Sequence, residues 1–525
     1  MKEITKAVVT KHHNRFFVGE CKMNNIKRIE IKTETGTIVD STKEFVKVDG
    51  DKLFLSYNNA PVKSVTVAWN NTYFDAATIL GDTWERAYNN LEWKLMDSAC
   101  KMPWYFLACT NGKTYAFGVK TLPNSLCYWK CDKDEIILVM NIQCGNKGTS
   151  LKGRELELCE VVFAEYDKDP FRAAIEFCKL MCDAPRLPKR PVFGGNDWYC
   201  NYGNNSYDKI LTHTKRIVEC TKGCAYAPYM VIDDGWQICH HPSDIDENYY
   251  NGGPWQYPNS AFGDMHAMAE AIKGEGAIPG LWFRPLWTIE KLPEDILLCT
   301  RGNTSVIDPS TEGGLEKIKD DLRTFAKWGY KLIKFDFSMY DLFGCWGFQL
   351  DEPMASCTFH DNSRTTAEIV KGMYSAMREA VGEDVLLMGC NTFSHLSTGF
   401  VDISRTGDDT SGKDWSRTKA YGTNTLAFRM SHHRTFYFAD ADCVGVTNAI
   451  PWEKNKQWLD VVAKSGTPLF VSLADDIDFD KIKNDLEGAF QKASEDAPVS
   501  IPTDWMEDNH PTQWQSEYGT DKYNW

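Results

Sequence analysis

The stretch GGLEKIKDDLRTFAKWGYKLIKFDF, residues 313–337, contains the unit from which most of this chain is built. Its first part repeats apolar residues at helical spacing, so that Leu315, Ile318 and Leu322 fall on one face of a helix. A glycine follows, and the short apolar run after it ends in Asp336. This order predicts an amphipathic helix followed by a buried strand with a carboxylate at its C-terminal end.

Seven more apolar runs of this kind lie between residues 190 and 490, and helical patterns separate several of them. Strand-then-helix units in this number predict an α/β fold of the (β/α)8 TIM-barrel type, whose functional residues follow the C-terminal ends of the strands. An open doubly wound sheet is the alternative fold, but no Gly-x-Gly-x-x-Gly motif follows any of the runs. The eight predicted strands lie in PVFGGNDWY (191–199), APYMVIDDGW (227–236), AIPGLWFRP (277–285), KLIKFDF (331–337), VLLMGCN (385–391), VDISRTG (401–407), RTFYFAD (434–440) and PLFVSLA (468–474).

The chain before this region has a different pattern. Polar and apolar residues alternate with period two in segments such as KSVTVAWN (63–70) and LELCEVVFAEY (156–166), which predicts an N-terminal antiparallel β-sandwich-like domain. A short helical pattern and a Pro-rich linker follow it. We therefore expect four parts: a β-domain at 1–165, a helix and linker at 166–189, a barrel at 190–490, and a C-terminal tail or small cover at 491–525.

The composition fits a globular protein with no affinity for nucleic acid. Of the 525 residues, 43% are hydrophobic and 25% are charged, and the formal net charge is −15 with the basic residues scattered along the chain. A protein that holds phosphates needs a concentrated basic surface, so nucleic acids and anionic membranes are poor partners.

The N-terminal residues MKEITKAVVTKHHNRF lack the apolar core of a signal peptide, and no run reaches the about 18 apolar residues that span a bilayer. The 18 cysteines include no Cys-x-x-Cys pair, which fits free thiols in a reducing compartment better than disulfides or a zinc site. We expect a cytoplasmic protein, and the sequence leaves a homo-oligomer open.

Carboxylates recur at the predicted C-terminal ends of the strands, where a TIM barrel forms its active site. Any one of them could cap the helix that follows. Several acids that converge on one barrel mouth, however, repel one another and shift each other's pKa, which usually serves a chemical purpose. The acids at these positions are Asp197, Asp233, Asp234, Asp336, Asp408, Asp409, Asp440 and Asp442.

A metal site is one use for such acids. It would need histidines at ligand spacing from them, and none of the available histidines has that spacing. We therefore predict neither a metal nor another cofactor. The histidines considered are His240, His241, His360, His395, His432 and His433.

Cleavage of a glycosidic bond is the use that we favour. It needs one carboxylate that attacks or stabilises the anomeric carbon and a second that protonates the leaving oxygen. Tryptophans beside the same strand ends, or in the loops after them, offer apolar faces for a sugar ring. They are Trp198, Trp236, Trp282, Trp287, Trp346 and Trp415.

As a set, these motifs resemble the clan D retaining α-galactosidases. The motifs occur in the same order as in glycoside hydrolase family 36, the melibiase and raffinose-synthase-like group, and the next most similar family is family 27. They are VIDDGWQ (231–237), Lys334-x-Asp336, the strand with Cys390, ISRTGDD (403–409) and ADADC (439–443). The segment ILGDTWERAYNNLEWK (79–94) also resembles the β-domain of these enzymes. The resemblance covers roughly residues 75 to 475.

The resemblance implies a role for each matched residue. Asp336 would be the nucleophile, and Lys334 would hydrogen-bond the sugar. Asp233 and Asp234 would bind the 4- and 6-hydroxyls of the sugar, and Trp198 would stack on its ring. The further candidates for substrate binding are Trp236, Arg284, Cys390, Asn391 and Arg405.

Two residues compete for the role of acid/base. Arg405 and Asp409 form the Arg-x-x-x-Asp pattern of family 27 and the raffinose-synthase-like group, which favours Asp409, whereas aligning Gly407-Asp408 with other members favours Asp408. Physical chemistry adds that Lys334 should keep Asp336 ionised, and that the acid/base needs burial or nearby negative charge to hold its proton.

Three departures from the family pattern bear on the substrate. Asn391 and a polar run follow Cys390 in place of a run of glycines, Arg284 stands where many relatives have Glu, and the C-terminal tail is short. The resemblance as a whole makes a retaining exo-α-galactosidase that hydrolyses oligosaccharides with a terminal α-galactose the first hypothesis. The alternatives are an α-N-acetylgalactosaminidase, a raffinose-synthase-like α-galactosyl transferase, and a non-catalytic sugar-binding barrel.

Overall fold

The computed structural model of the protein describes residues 26–238, 251–350 and 353–525. An antiparallel β-domain comes first, a curled parallel sheet with surrounding helices follows, and a small antiparallel sheet ends the chain. No helix within the described ranges combines the length and apolar character that crossing a membrane requires.

The N-terminal domain consists of two antiparallel sheets that face each other. Trp129 of the first sheet contacts Phe106 and Phe117 of the second, with ring centroids 6.1 and 6.2 Å apart. Alternation along the strands produces this core, since Val65 and Val67 are fully buried while Thr66 between them is not. In spatial order the first sheet has Thr37–Val39, Ile26–Thr33, Val62–Asn70, Glu135–Asn141, Leu126–Cys131 and Met102–Pro103; the second has Val46–Asp49, Lys52–Leu55, Leu156–Tyr166, Lys113–Val119, Tyr105–Thr110, Thr78–Gly81 and Lys94–Leu95.

The predicted helix between the two large domains is Pro170–Met181. The side chain of Asp169 caps its N-terminus by accepting from two backbone N–H groups, and Pro170 stands at the first helical position. Its apolar face, which includes Phe177 and Met181, is buried. The linker after it leads to the first parallel strand.

Each of the eight runs predicted as parallel strands contains one. All pairings in the large sheet are parallel, and its strands consist almost entirely of buried residues, because helices and loops cover both faces. The nine strands in spatial order are Phe438–Asp440, Ile403–Arg405, Leu386–Gly389, Leu332–Phe335, Ile278–Phe283, Tyr229–Ile232, Phe193–Asn196, Leu469–Leu473 and Val444–Val446.

Amphipathic helices pack against this sheet. In Glu312–Trp328 the side chains of Ile318, Leu322 and Phe325 are fully buried, as the helical spacing predicted, and Thr311 caps the N-terminus. The other α-helices are Trp198–Asn201, Tyr207–Cys220, Met265–Gly274, Ser338–Phe343, Thr366–Val381, Ser394–Ser397, Trp415–Arg417, Asn424–Arg429, Trp452–Lys464 and Phe479–Ala493. A three-stranded antiparallel sheet of Trp287–Thr288, Thr304–Ile307 and Leu297–Arg301 follows the third parallel strand.

The C-terminal residues form a small sheet of Ile501–Pro502, Gln513–Ser516 and Gly519–Lys522. Trp505 packs in this region against Trp93 and Phe171, with ring centroids 5.3 and 5.2 Å apart. The C-terminal segment therefore covers both the β-domain and the connecting helix.

A segment of the β-domain also pairs with the parallel sheet. The backbone N–H of Ala87 donates to the carbonyl of Thr406 at 2.8 Å, and the N–H of Asp408 donates to the carbonyl of Ala87 at 2.9 Å. Ala87 and Gly407 form a parallel β-bridge. This pairing brings residues 85–88 beside the sixth parallel strand, Ile403–Arg405.

Candidate active site

A cavity of about 700 Å³ opens at the C-terminal ends of the parallel strands. Residues from both large domains line it. Eight of the residues predicted for the site are among them: Trp198, Asp233, Asp234, Lys334, Asp336, Arg405, Asp408 and Asp409.

Asp336 directly follows the fourth parallel strand, Leu332–Phe335, and lines the cavity. Its Oδ1 accepts the N–H of Phe337 at 2.8 Å. Burial raises the pKa of the Asp336 carboxyl, and the cations of Arg86 and Lys334 only partly oppose this, while the charge of Asp409 adds to it. A carboxylate at this place can attack a sugar from the cavity wall.

Asp408 and Asp409 follow the sixth strand and are held by arginines. Asp408 lies 2.8 Å from the Nη2 of Arg86 and 3.5 Å from the Nη2 of Arg417. Asp409 Oδ1 lies 3.2 Å from Arg405 Nη2 and 3.5 Å from Arg86 Nη1. Burial acts to raise the pKa of Asp409, but the guanidinium groups of Arg86 and Arg405 outweigh it and lower that pKa.

These pKa directions differ from the sequence-based expectation that Lys334 keeps Asp336 ionised. The reason is that Lys334 binds a different carboxylate: its Nζ donates to Asp233 Oδ2 at 2.6 Å. Asp409, in contrast, has two guanidinium groups at ion-pair distance. Without substrate, the proton is therefore favoured on Asp336 rather than on Asp409.

Asp233 and Asp234 are held rigidly at the end of the second strand, Tyr229–Ile232. Asp233 Oδ2 accepts from both Lys334 and the amide of Asn196, the latter at 2.7 Å. Asp234 Oδ1 accepts from the amide of Gln237 at 2.6 Å. Both aspartates are almost fully buried yet line the cavity, so their oxygens are preorganised as charged acceptors for hydroxyl groups.

Aromatic rings form much of the remaining wall. Of the six tryptophans considered from the sequence, Trp198, Trp282 and Trp346 line the cavity. Trp346 packs on Tyr340 at 4.5 Å, and Phe348, which is 54% exposed, packs on Tyr88 at 4.7 Å. Flat apolar faces beside fixed carboxylates are the chemistry that binds a sugar ring.

Four residues predicted to bind substrate are not among the described residues that line the cavity. Trp236 is fully buried, and its Nε1 donates to the carbonyl of Trp282 at 2.9 Å, so it belongs to the core. Asn391 is fully buried, and its Oδ1 accepts hydrogen bonds from the backbone N–H groups of Met339 and Tyr340. The remaining two, Arg284 and Cys390, are likewise buried behind the wall.

The sequence analysis missed part of the site. Arg86 and Tyr88 come from the β-domain, and although the segment around them resembled a known β-domain, nothing in its spacing connects it to acids more than 300 positions away. Arg417 ends the short helix Trp415–Arg417 and Tyr421 lies in the π-helix Thr418–Thr423 that follows it, where no periodic pattern marks them. The missed lining residues are Arg86, Tyr88, Tyr202, Asn251, Phe337, Phe348, Arg417 and Tyr421.

The histidines do not assemble a metal centre in the part of the chain that the structure describes, where no group of three or more His, Cys, Asp or Glu residues could hold a metal ion. Burial lowers the pKa of His395 and of His433 to about 3, and it lowers that of His432 as well. His240 and His241 lie outside the described residues.

Comparison with known proteins places the fold. No protein-family profile matches the chain. An α-galactosidase from Thermus thermophilus, solved with p-nitrophenyl α-D-galactopyranoside, superposes with a TM-score of 0.60 at 17% identity, covering 94% of this chain and 99% of its own.

Two more solved structures give a similar result. The α-galactosidase from Lactobacillus brevis has a TM-score of 0.59 at 13% identity and covers 93% of this chain and 76% of its own. A substituted family 36 α-galactosidase from Geobacillus stearothermophilus, solved with stachyose, has a TM-score of 0.55 at 14% identity and covers 84% of this chain and 65% of its own. At these identities the likeness shows the fold, and it is the fold of the family that the sequence motifs resemble.

Proposed function

We propose that this protein is a retaining exo-α-galactosidase that hydrolyses oligosaccharides with a terminal α-galactose. The observation that carries the proposal is the placement of Asp336, after the fourth strand, and Asp409, after the sixth, on the wall of one cavity. The solved structures with this fold include α-galactosidases bound to an α-galactoside and to stachyose. A protein that only bound sugar would have no need for a nucleophile opposite an acid.

The fold needed for this activity is a closed barrel, and we infer that the sheet closes. The strands Phe438–Asp440 and Val444–Val446 at its two ends are separated by only three residues of chain. The first pairs with the sixth strand and the second with Leu469–Leu473. A single interrupted strand at 438–446 thus links both edges, giving eight strands around the barrel.

The proposed reaction is a double displacement. The carboxylate of Asp336 attacks the anomeric carbon, the glycosidic C–O bond breaks, and Asp409 gives its proton to the leaving oxygen. Asp409 then takes a proton from water, whose oxygen attacks the anomeric carbon and releases Asp336 and the sugar with its configuration retained.

Substrate recognition rests on the fixed carboxylate acceptors at the end of the second strand, which line the same cavity. Asp233 and Asp234 would accept hydrogen bonds from hydroxyls of the terminal sugar, while Trp198 offers a stacking face. A sugar whose hydroxyl points elsewhere leaves a buried carboxylate unpaired, which costs about 10⁴-fold or more in kcat/KM in sites built this way. We propose galactose as the terminal sugar because the solved structures with this fold include α-galactosidases bound to an α-galactoside and to stachyose.

The protonation order of the free site sets the pH dependence. Reaction requires Asp336 ionised and Asp409 protonated, whereas the surroundings favour the opposite placement of the proton. The productive form is then a minor fraction of the free protein. The apparent pKa values of both limbs of the kcat/KM–pH profile belong to the Asp336–Asp409 pair rather than to one residue.

We also propose a cytoplasmic location. Whether the protein forms a homo-oligomer can be measured by light scattering. The location is supported by the sixteen described cysteines, which are all free thiols, as expected in a reducing compartment.

A panel of nitrophenyl α-glycosides tests the function. The protein should release nitrophenol from the α-galactoside, and NMR should show α-galactose as the first product. Asp336→Asn should abolish release, while Asp320→Asn, at an exposed aspartate of the helix Glu312–Trp328, is the control and should leave release unchanged. Release only from the N-acetylated sugar would change the substrate, transfer to an added sugar acceptor would indicate a transferase, and equal release by Asp336→Asn would refute the mechanism.

A further inference from the structure

Arg284 follows the third parallel strand, Ile278–Phe283, and it does not face the sugar cavity. We infer that Arg284 is a positioning residue that holds the backbone next to Asp336 in its working conformation. The inference rests on the proposed function, since it assigns Arg284 to the nucleophile of that reaction. It replaces the prediction from the sequence that Arg284 binds substrate.

The backbone after Asp336 has an unusual conformation. Phe337 has φ 58° and ψ 3°, the left-handed region that non-glycine residues rarely adopt. This kink lets the N–H of Phe337 donate to Asp336 Oδ1 and starts the short helix Ser338–Phe343. Such a conformation is strained for a non-glycine residue and persists only where the surroundings enforce it.

The planar guanidinium group of Arg284 holds Phe337 in this conformation. Its Cζ lies 4.3 Å from the ring centroid of Phe337 and 4.7 Å from that of Trp287, so the guanidinium group contacts both aromatic rings. The ring of Phe337 therefore cannot swing away without losing a desolvated cation–π contact.

A second contact fixes the other side of the kink. Arg284 Nε donates to Asp341 Oδ2 at 2.9 Å, and Nη2 of the same side chain pairs with Asp341 Oδ1. Asp341 is fully buried, and its own backbone N–H donates to the carbonyl of Phe337 at 2.8 Å. Arg284 thus contacts the side chain of Phe337 and also binds Asp341, the residue whose backbone N–H donates to the carbonyl of Phe337.

The remaining donor reaches the cavity wall. Arg284 Nη1 donates to the side chain of Asn251, which lines the cavity as Phe337 does. Only a flat cation with donors on several edges can serve Asp341, Asn251 and two rings at once, so lysine is a poor substitute. With its donors engaged and only 6% of its surface exposed, Arg284 acts on the reaction through its neighbours.

The test uses the full chain with Arg284→Met, Arg284→Lys and Phe337→Leu. Because a displacement of about 1 Å at a reacting group can cost about 10²-fold, kcat on nitrophenyl α-galactoside should fall by that order in Arg284→Met, with KM within about threefold of the parent. Arg284→Lys should lose most of the same activity, and Phe337→Leu should lose part of it. The matched control is Arg301→Met, because Arg301 also lies over Trp287, at 5.9 Å, but donates to Ser356.

A crystal structure of each variant provides a readout that does not depend on the substrate. We expect residue 337 to leave the left-handed region in Arg284→Met. Arg301→Met should keep the parental kcat, whereas an Arg284→Met variant that keeps parental kcat, raises KM alone, or loses activity with residue 337 unmoved would overturn the inference. If the parent protein cleaves no α-galactoside, the proposed function fails, and the conformation of residue 337 in Arg284→Lys still decides the role of Arg284.

Discussion

Replacing Arg429 should weaken the contact between the β-domain and the parallel sheet that carries the cavity aspartates. Arg429, at the end of the helix Asn424–Arg429, donates through Nη2 to Asp82 Oδ2 at 3.3 Å and through Nη1 to the carbonyl of Glu85 at 2.6 Å. Both side chains of the ion pair are 1% exposed. The pair fixes the segment that continues to Arg86 and Tyr88 in the cavity wall.

The size of the effect follows from burial. Arg429→Met removes one partner and leaves the Asp82 carboxylate uncompensated, which should lower the free energy of unfolding by about 3–5 kcal/mol. Burial already raises the pKa of Asp82, with Arg429 opposing it, so in the variant that pKa rises further. An acid whose folded pKa lies above its unfolded value loses stabilisation as the pH rises through the folded pKa, so the variant should be weaker at pH 8 than at pH 5.

Urea unfolding of the parent, Arg429→Met, Asp82→Asn and the double variant at both pH values measures this. Asp82→Asn in the Arg429→Met background should recover part of the loss and remove its pH dependence. Lys456→Met breaks the exposed ion pair with Asp485, 2.7 Å long, and should cost no more than about 1 kcal/mol. A loss in Arg429→Met as small as that control, or one equal at both pH values, would refute the reasoning.

Three further predictions concern the site and the sheet. Asp409→Asn should slow hydrolysis of an oligosaccharide by about 10²–10⁴-fold and that of a dinitrophenyl galactoside far less, because only a poor leaving group needs the acid; the same pattern in Asp408→Asn instead would assign the role to Asp408. Arg86→Met should move both limbs of the kcat/KM–pH profile to higher pH, since Arg86 lowers the pKa of both Asp336 and Asp409, whereas Arg86→Lys should stay near the parental profile; unmoved limbs in Arg86→Met would contradict this. Gly194→Ala should lower the melting temperature strongly, because its Cβ would lie 1.9 Å from the carbonyl oxygen of Tyr229. Gly36→Ala, with a similar φ of 152° but no atom within 4 Å, carries only the cost of that backbone conformation and should lower the melting temperature less; an equal loss in the two variants would contradict the steric explanation.

The sequence predicted the elements that obey a local rule. Buried strands flanked by helices, and acids at their C-terminal ends, follow from periodicity and from barrel geometry, and they led to Asp233, Asp234, Asp336, Asp408 and Asp409. Alternation likewise identified the antiparallel domain. These features depend on neighbours in the chain.

The errors arose where the backbone turns. Trp236 lies two residues after Asp234, and Gly235 between them has φ 121°, where a Cβ would lie 2.4 Å from the carbonyl oxygen of Gly203. The chain therefore reverses at Gly235 and directs Trp236 into the core rather than the cavity. For Arg284, the deciding partners Asp341 and Phe337 lie more than 50 positions away, and a one-dimensional pattern does not record them.

The pairing of Ala87 with Thr406 and Asp408 joins the two large domains at the proposed active site. Because Arg86 and Tyr88 reach the site from the β-domain, excising residues 190–490 would leave Asp408 and Asp409 without the charge of Arg86. Engineers who wish to transplant the proposed activity should therefore move both domains together, and substitutions that loosen their contact should alter the pH optimum before they alter the fold.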